Sequence, residues 1–127
     1  MITTLWNLPV PSNALLDGGP VLEKRPRREL ALCMGYEVDD GQKKIALVLE
    51  GVEAFKVTYY RARSDSMLTA HDRLVDLGRT TWLDEVTSNL AHHGADTYGL
   101  THVMVNFDDG PCYEVICRSH HIEGDDG

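Results

Sequence analysis

Alternation of apolar and polar positions begins at Leu30. Leu30, Leu32, Met34, Tyr36 and Val38 fall on every second residue, the period of a half-buried strand. Asp39-Asp40-Gly41 follows as a hairpin turn, with Gly41 free to take a positive φ. Residues 43–50 predict a second strand, with Ile45, Leu47 and Leu49 on one face, and Gly51 marks the next turn. Residues 52–63 predict a third, in which Phe55, Val57 and Tyr59 alternate with Lys56, Thr58 and Tyr60.

The period then lengthens. Met67, Ala70, His71, Leu74 and Leu77 recur at helical spacing, so a helix is expected from a Ser64 or Asp65 cap to about Leu77, closed by Gly78. A second helix should start near Thr81, where Thr81 and Asp84 resemble a capping box. Trp82, Leu83, Val86 and Leu90 form its stripe. His92 and His93 sit in its last turn, and Gly94 stops it. Two strands complete the pattern, 100–107 and 112–122, joined by Asp108-Asp109-Gly110-Pro111. Val103, Val105 and Phe107 share a face on the first; Tyr113, Val115 and Cys117 share one on the second.

Before Leu30 the chain looks different. Pro9, Pro11, Pro20 and Pro26 interrupt it, and Asp17-Gly18-Gly19-Pro20 is a turn signal. Residues 1–29 therefore read as an irregular arm docked through Leu5, Trp6, Leu8, Leu15 and Leu16, with one extra strand available from it. The expected fold is α+β and a single domain over 1–127. Its order is β-β-β-α-α-β-β: a mainly antiparallel sheet of about five strands with two helices packed on one face.

Composition narrows the class. The 127 residues suit one domain, and 43% apolar with 25% charged residues is ordinary globular usage. No apolar run approaches the roughly 20 residues of a membrane span, so no membrane partner is expected. The first residues lack a signal-peptide layout, and three cysteines (Cys33, Cys112, Cys117) are an odd number; both favour a reducing cytoplasm. A net charge of −8 argues against nucleic acid. The basic run Lys24-Arg25-Pro26-Arg27-Arg28 is flanked by Glu23 and Glu29, while the body beyond it is strongly acidic.

Candidate chemistry is sparse. His92-His93 and His120-His121 are adjacent pairs, and adjacent side chains diverge on either a helix or a strand, so no metal set is expected from them. Asp39-Asp40-Gly41 and Asp108-Asp109-Gly110 read as turns before they read as cation sites. Cys112 with His102 on the neighbouring strand is the nearest approach to a nucleophile and base, and no nucleophile-elbow, phosphate-loop or dinucleotide motif accompanies it. Tyr59-Tyr60-Arg61-Ala62-Arg63 mixes rings and bases but reads as a strand end. No catalytic residue, metal ligand or cofactor is assigned. The informative feature is the sheet face opposite the helices. It would carry His102, Met104, Asn106, Glu114, Ile116, Arg118, His120, Lys56, Thr58 and Tyr60, too apolar for plain solvent and too polar for core.

The stretches GVEAFKVTYYRAR (51–63), LVDLG (74–78), TTWL (80–83) and GLTHVMVNFDDGPCYEVICR (99–118) resemble a family of small bacterial α+β proteins of unknown function. The general build is also similar in style to small acidic bacterial immunity proteins. These resemblances imply a stand-alone bacterial domain and carry over no site residue. The expected function is protein binding without catalysis, immunity-like in type, through the mixed face, to a partner protein or to a second copy in a homodimer. The alternative is a small metal-dependent hydrolase using Asp108, Asp109, Glu114 and nearby histidines.

Overall fold

The computed structural model describes residues 2–108 and 110–124, and shows two antiparallel sheets packed face to face. The strands are β1 (Thr3–Asn7), β2 (Val21–Arg25), β3 (Glu29–Val38), β4 (Gly41–Glu50), β5 (Ala54–Thr58), β6 (Arg73–Asp76), β7 (Thr101–Asn106), β8 (Cys112–Cys117) and β9 (Ser119–Gly124). The single α-helix among the described residues is α1 (Thr81–His92). One sheet runs β1-β6-β7-β8-β5 and the other β2-β3-β4-β9. No helix of the described residues is long and apolar enough to cross a membrane.

The core lies between the sheets. Leu30, Leu32, Met34 and Tyr36 of β3 and Ile45, Leu47 and Leu49 of β4 meet Leu74, Val103, Val105, Tyr113, Val115 and Phe107 from the other sheet. The alternation in residues 30–50 thus gave correct faces, and Gly41 closes that hairpin at φ 139°. What covers them differs from expectation. The α+β fold of one five-stranded sheet under two helices is overturned: a second sheet, not a helix pair, covers the valine face.

Three local causes explain the difference. First, the helix expected over 64–77 is a 3-10 segment (Asp65–Ala70) followed by β6. Asp72 at φ 56° interrupts any helix there. Leu74 faces the inter-sheet core while Val75 packs on Ala70, Met104 and Cys112, so this short strand is covered on both sides and loses its alternation. Second, the strand expected over 112–122 divides at Arg118. β8 stays in the five-stranded sheet and β9 crosses to pair with β4, with Arg118 N–H donating to the Glu50 carbonyl at 2.9 Å. The opposite crossing passes through Gly51 at φ +63°, where a Cβ would lie 3.0–3.2 Å from the Arg118 side chain, so glycine is required twice over. Third, the arm is not irregular throughout. β1 pairs with β6 and β2 with β3, and Leu15 is buried in the core beside Tyr36.

The second helix forms as expected, one residue out in its cap. Thr80 is the N-cap, its Oγ1 accepting from Leu83 N–H at 3.2 Å, and the chain leaves α1 through Gly94 at φ 70°.

Candidate functional site

The residues expected to form an open mixed face do not stay together. His102, Met104, Asn106, Glu114 and Ile116 are all buried, under α1 and the segment spanning residues 59–70. They cannot receive a partner from solvent. Met104 packs with Ala70, Val75 and Cys112. Asn106 is fully buried; its Nδ2 donates to the Met67 carbonyl at 3.1 Å and its Oδ1 accepts from Arg63 Nη1, which also donates to the Phe107 carbonyl at 2.8 Å. Thr58, at the end of β5, is half-buried and pairs with Cys112. Tyr60 is exposed, its ring stacked 4.7 Å from the Arg63 guanidinium carbon. Arg118 sits at the crossing between sheets, donating to Glu53 at 2.7 Å, to the Gly51 carbonyl at 3.1 Å and to the Asp96 carbonyl at 2.6 Å. His120 lies in the other sheet, opposite Leu49.

The centre of the buried layer is a hydroxyl–imidazole–carboxylate line. Thr80 Oγ1 is 2.7 Å from His102 Nδ1, and His102 Nε2 is 3.0 Å from Glu114 Oε1. One assignment of protons satisfies every group: Leu83 N–H donates to Thr80, Thr80 O–H donates to Nδ1, and Nε2–H donates to the carboxylate. Trp82 closes the layer edge-on, 5.0 Å from the His102 ring, and Lys56 Nζ lies 4.2 Å over Trp82. The connectivity is that of a nucleophile–base–acid triad, but its hydroxyl is spent as a helix cap and its imidazole is 4% exposed. It ties α1 to the sheet.

The hydrogen bond from His102 holds the Glu114 carboxyl below the ordinary carboxylate range, with the charge of Lys56 adding to it and burial opposing. A carboxyl depressed in the folded state stabilises above its unfolded value and loses that contribution as pH falls through the folded one. Stability should therefore fall on the acid side of 4.5, and Glu114→Gln should flatten that limb. Urea midpoints of both proteins between neutral and acid pH check this.

Two of the three thiols are buried. Burial, with the Glu114 charge adding to it, pushes Cys112 up to about 12, and burial pushes Cys117 up to about 11. Cys112 also stands opposite Asn106 in the β7–β8 ladder while His102 stands opposite Ile116, so the two do not face each other as a nucleophile and base. Cys33 is half-buried on the outer face of its sheet. A thiol reagent at mildly alkaline pH should label Cys33 alone in the native protein and all three cysteines in denaturant, read by intact mass. Among the described residues no three His, Cys, Asp or Glu side chains are placed to hold a metal. Asp108 is exposed, its N–H donating to Ser12 Oγ at 2.7 Å; Asp109 lies outside the described residues.

The open site lies elsewhere. β2 and β5 are edge strands of different sheets, and between them runs a groove of about 450 Å³. Its floor is Leu30, Val52, Ala54 and Phe55, and its rim carries charges of both signs, Lys24, Arg25 and Arg28 with Glu29 and Glu53. Strand period explains the placement. Lys24 pairs with Leu30 and shares its face with Leu22, so it points to the seam; Phe55 pairs with Val115 on the inner face of β5 and, at the edge, stays 41% exposed. The Arg28 carbonyl accepts from Val52 N–H at 2.9 Å, which fixes the basic turn against the start of the groove. Phe55, Lys24 and Arg28 were not singled out from sequence as a site. The available signal was the basic run itself, the one break in an acidic chain. No family model, curated protein or solved structure matches the chain.

Proposed function

We propose that this chain is a non-catalytic protein-binding module that takes an extended segment of another protein into the seam between β2 and β5. The observation that carries the reading is the groove itself: an apolar floor including a large exposed ring, bordered by two unpaired strand edges and a rim of mixed charge. Exposed apolar floor beside free backbone donors and acceptors suits strand addition, in which main-chain hydrogen bonds hold the segment and alternate side chains enter the floor. The layer that could have supported catalysis is closed and satisfied internally, which favours binding over turnover.

A photoreactive p-benzoylphenylalanine placed at position 55, and as a control at exposed position 38 on the far end of β3, tests this in the cells that make the protein. The expected result is one crosslinked protein from position 55, attached through a single segment, competed by excess parent protein and not by Phe55→Ser. Equal crosslinking from both positions, or competition by both proteins alike, contradicts it.

A further inference from the structure

We infer that His121, set between the carboxylates of Glu50 and Glu123, is a proton-operated latch: the protonated ring fastens the edge strand β9 to β4, and loss of the proton loosens it. The inference concerns the sheet edge away from the groove and does not depend on the docking reading.

β9 is lightly held from inside. On its core side His120 stands opposite Leu49 and Ile122 opposite Leu47. The two leucines are fully buried, but Ile122 stays 38% exposed and His120 is only half-buried at the margin of the core. Beyond the backbone ladder, what fastens this strand lies on the outer face, where His121 stands opposite Val48 and Glu123 opposite Ala46. Ala31, Ala46 and Val48 form a low, buried patch there. Arg25 reaches across it from β2, donating to Glu23 at 2.7 Å and to Glu123 at 2.9 Å. Glu23, Arg25, Glu123, His121 and Glu50 thus form one chain of charges from one edge of the sheet to the other.

The ring geometry selects the protonated form. His121 Nδ1 is 3.0 Å from Glu50 Oε1, and Nε2 is 3.5 Å from Glu123 Oε2. A neutral imidazole has one N–H, so it donates to one carboxylate and turns a lone pair toward the other; only the imidazolium donates to both. His102 differs, since its nitrogens face one hydroxyl and one carboxylate and the neutral ring satisfies both. By strand alternation the outer face also carries Glu29 and Glu37 of β3 and Lys44 of β4, while His120, on the other face, adds positive charge near Glu50. The hydrogen bond to Glu50 raises His121 above its ordinary 6.5, with desolvation opposing and Glu123 adding, and the same bond lowers Glu50 below 4.5. A raised imidazole contributes fully below its unfolded value and loses that contribution as pH rises through the folded one; the lowered carboxylate contributes above 4.5. The latch is therefore closed in mild acid and opens on the alkaline side of 6.5.

Amide exchange of the full chain tests this, read residue by residue by NMR as protection relative to the unstructured rate at about pH 5.5 and about pH 8. Protection across Ser119–Gly124 should fall about two- to fivefold over that rise, the scale of an exposed ion pair, while protection across Thr101–Asn106 stays level. His121→Arg, charged at both pH values, should hold the protection of β9 constant. His120→Gln should leave the fall as it is in the parent. Level protection of β9 in the parent, an equal fall in His121→Arg, or loss of the fall in His120→Gln overturns the latch. A fall shared equally by Thr101–Asn106 also overturns it, because the effect would then belong to the whole fold and not to β9.

Discussion

His102→Ala is expected to cost about 3 kcal/mol of folding stability, the cost of leaving a buried charged group without its hydrogen-bond partner. The loss is not that of one hydrogen bond. It leaves the Glu114 carboxylate with a side chain only 10% exposed, takes the acceptor from the Thr80 hydroxyl and removes the ring against which Trp82 packs. Lys56, held over Trp82, is the charge that remains near Glu114. Because most of the cost is an orphaned charge, replacing both groups should recover much of it: His102→Leu with Glu114→Leu is expected to be more stable than His102→Ala alone. Urea unfolding at neutral pH, with the two variants beside the parent, measures both effects. A cost below about 1 kcal/mol for His102→Ala would mean that this layer is wetter than its burial implies.

The second large effect separates the two phenylalanines. Phe107→Ala should cost about 3–5 kcal/mol, since the ring is 1% exposed between the sheets and packs edge-on to Tyr113 at 5.9 Å. Phe55→Ala should cost less than about 1 kcal/mol, because its ring already meets solvent at the seam. A single sheet under two helices would bury both rings on the same covered face and make both substitutions expensive. The ratio of the two costs therefore reports on the two-sheet architecture as well as on the groove.

Period-2 signals were readable where one strand face meets the core and the other meets water. Residues 30–50 are the clear case: Leu30, Leu32, Met34 and Tyr36 against Ile45, Leu47 and Leu49 fall on the inner face as the alternation requires. The helix ending at Gly94 was readable because an apolar stripe and a glycine stop agree, while its cap is Thr80 and not the expected Thr81. The pattern failed where burial is two-sided. Leu74 and Val75 are both at 0% exposure, and a short apolar pair of that kind fits a helix turn as well as a strand. It failed again at Arg118, where a single residue carries the chain from one sheet to the other inside what reads as one continuous strand.

The site was legible only in part, for the same reason. The mixed character of His102, Met104, Asn106, Glu114 and Ile116 was correctly noticed, but such a face is equally suited to burial when its polar groups find partners. Those partners, Thr80, Trp82 and Arg63, come from segments whose placement depends on the fold. The groove could not be read at all without knowing that β2 and β5 are edges of different sheets, since 26 residues or more separate Lys24 and Arg28 from the floor residues Ala54 and Phe55 in the chain.

The most direct test of the binding account is amide hydrogen exchange of the full chain with and without a saturating amount of the protein captured by crosslinking at position 55. Strand addition places the free-edge amides of β5 in new hydrogen bonds, so exchange should slow across Ala54–Thr58 and around residues 24–28 while β1 and β9 keep their free rates. Slowing over β1, β9 or α1, with Ala54–Thr58 exchanging as in the free protein, would contradict it.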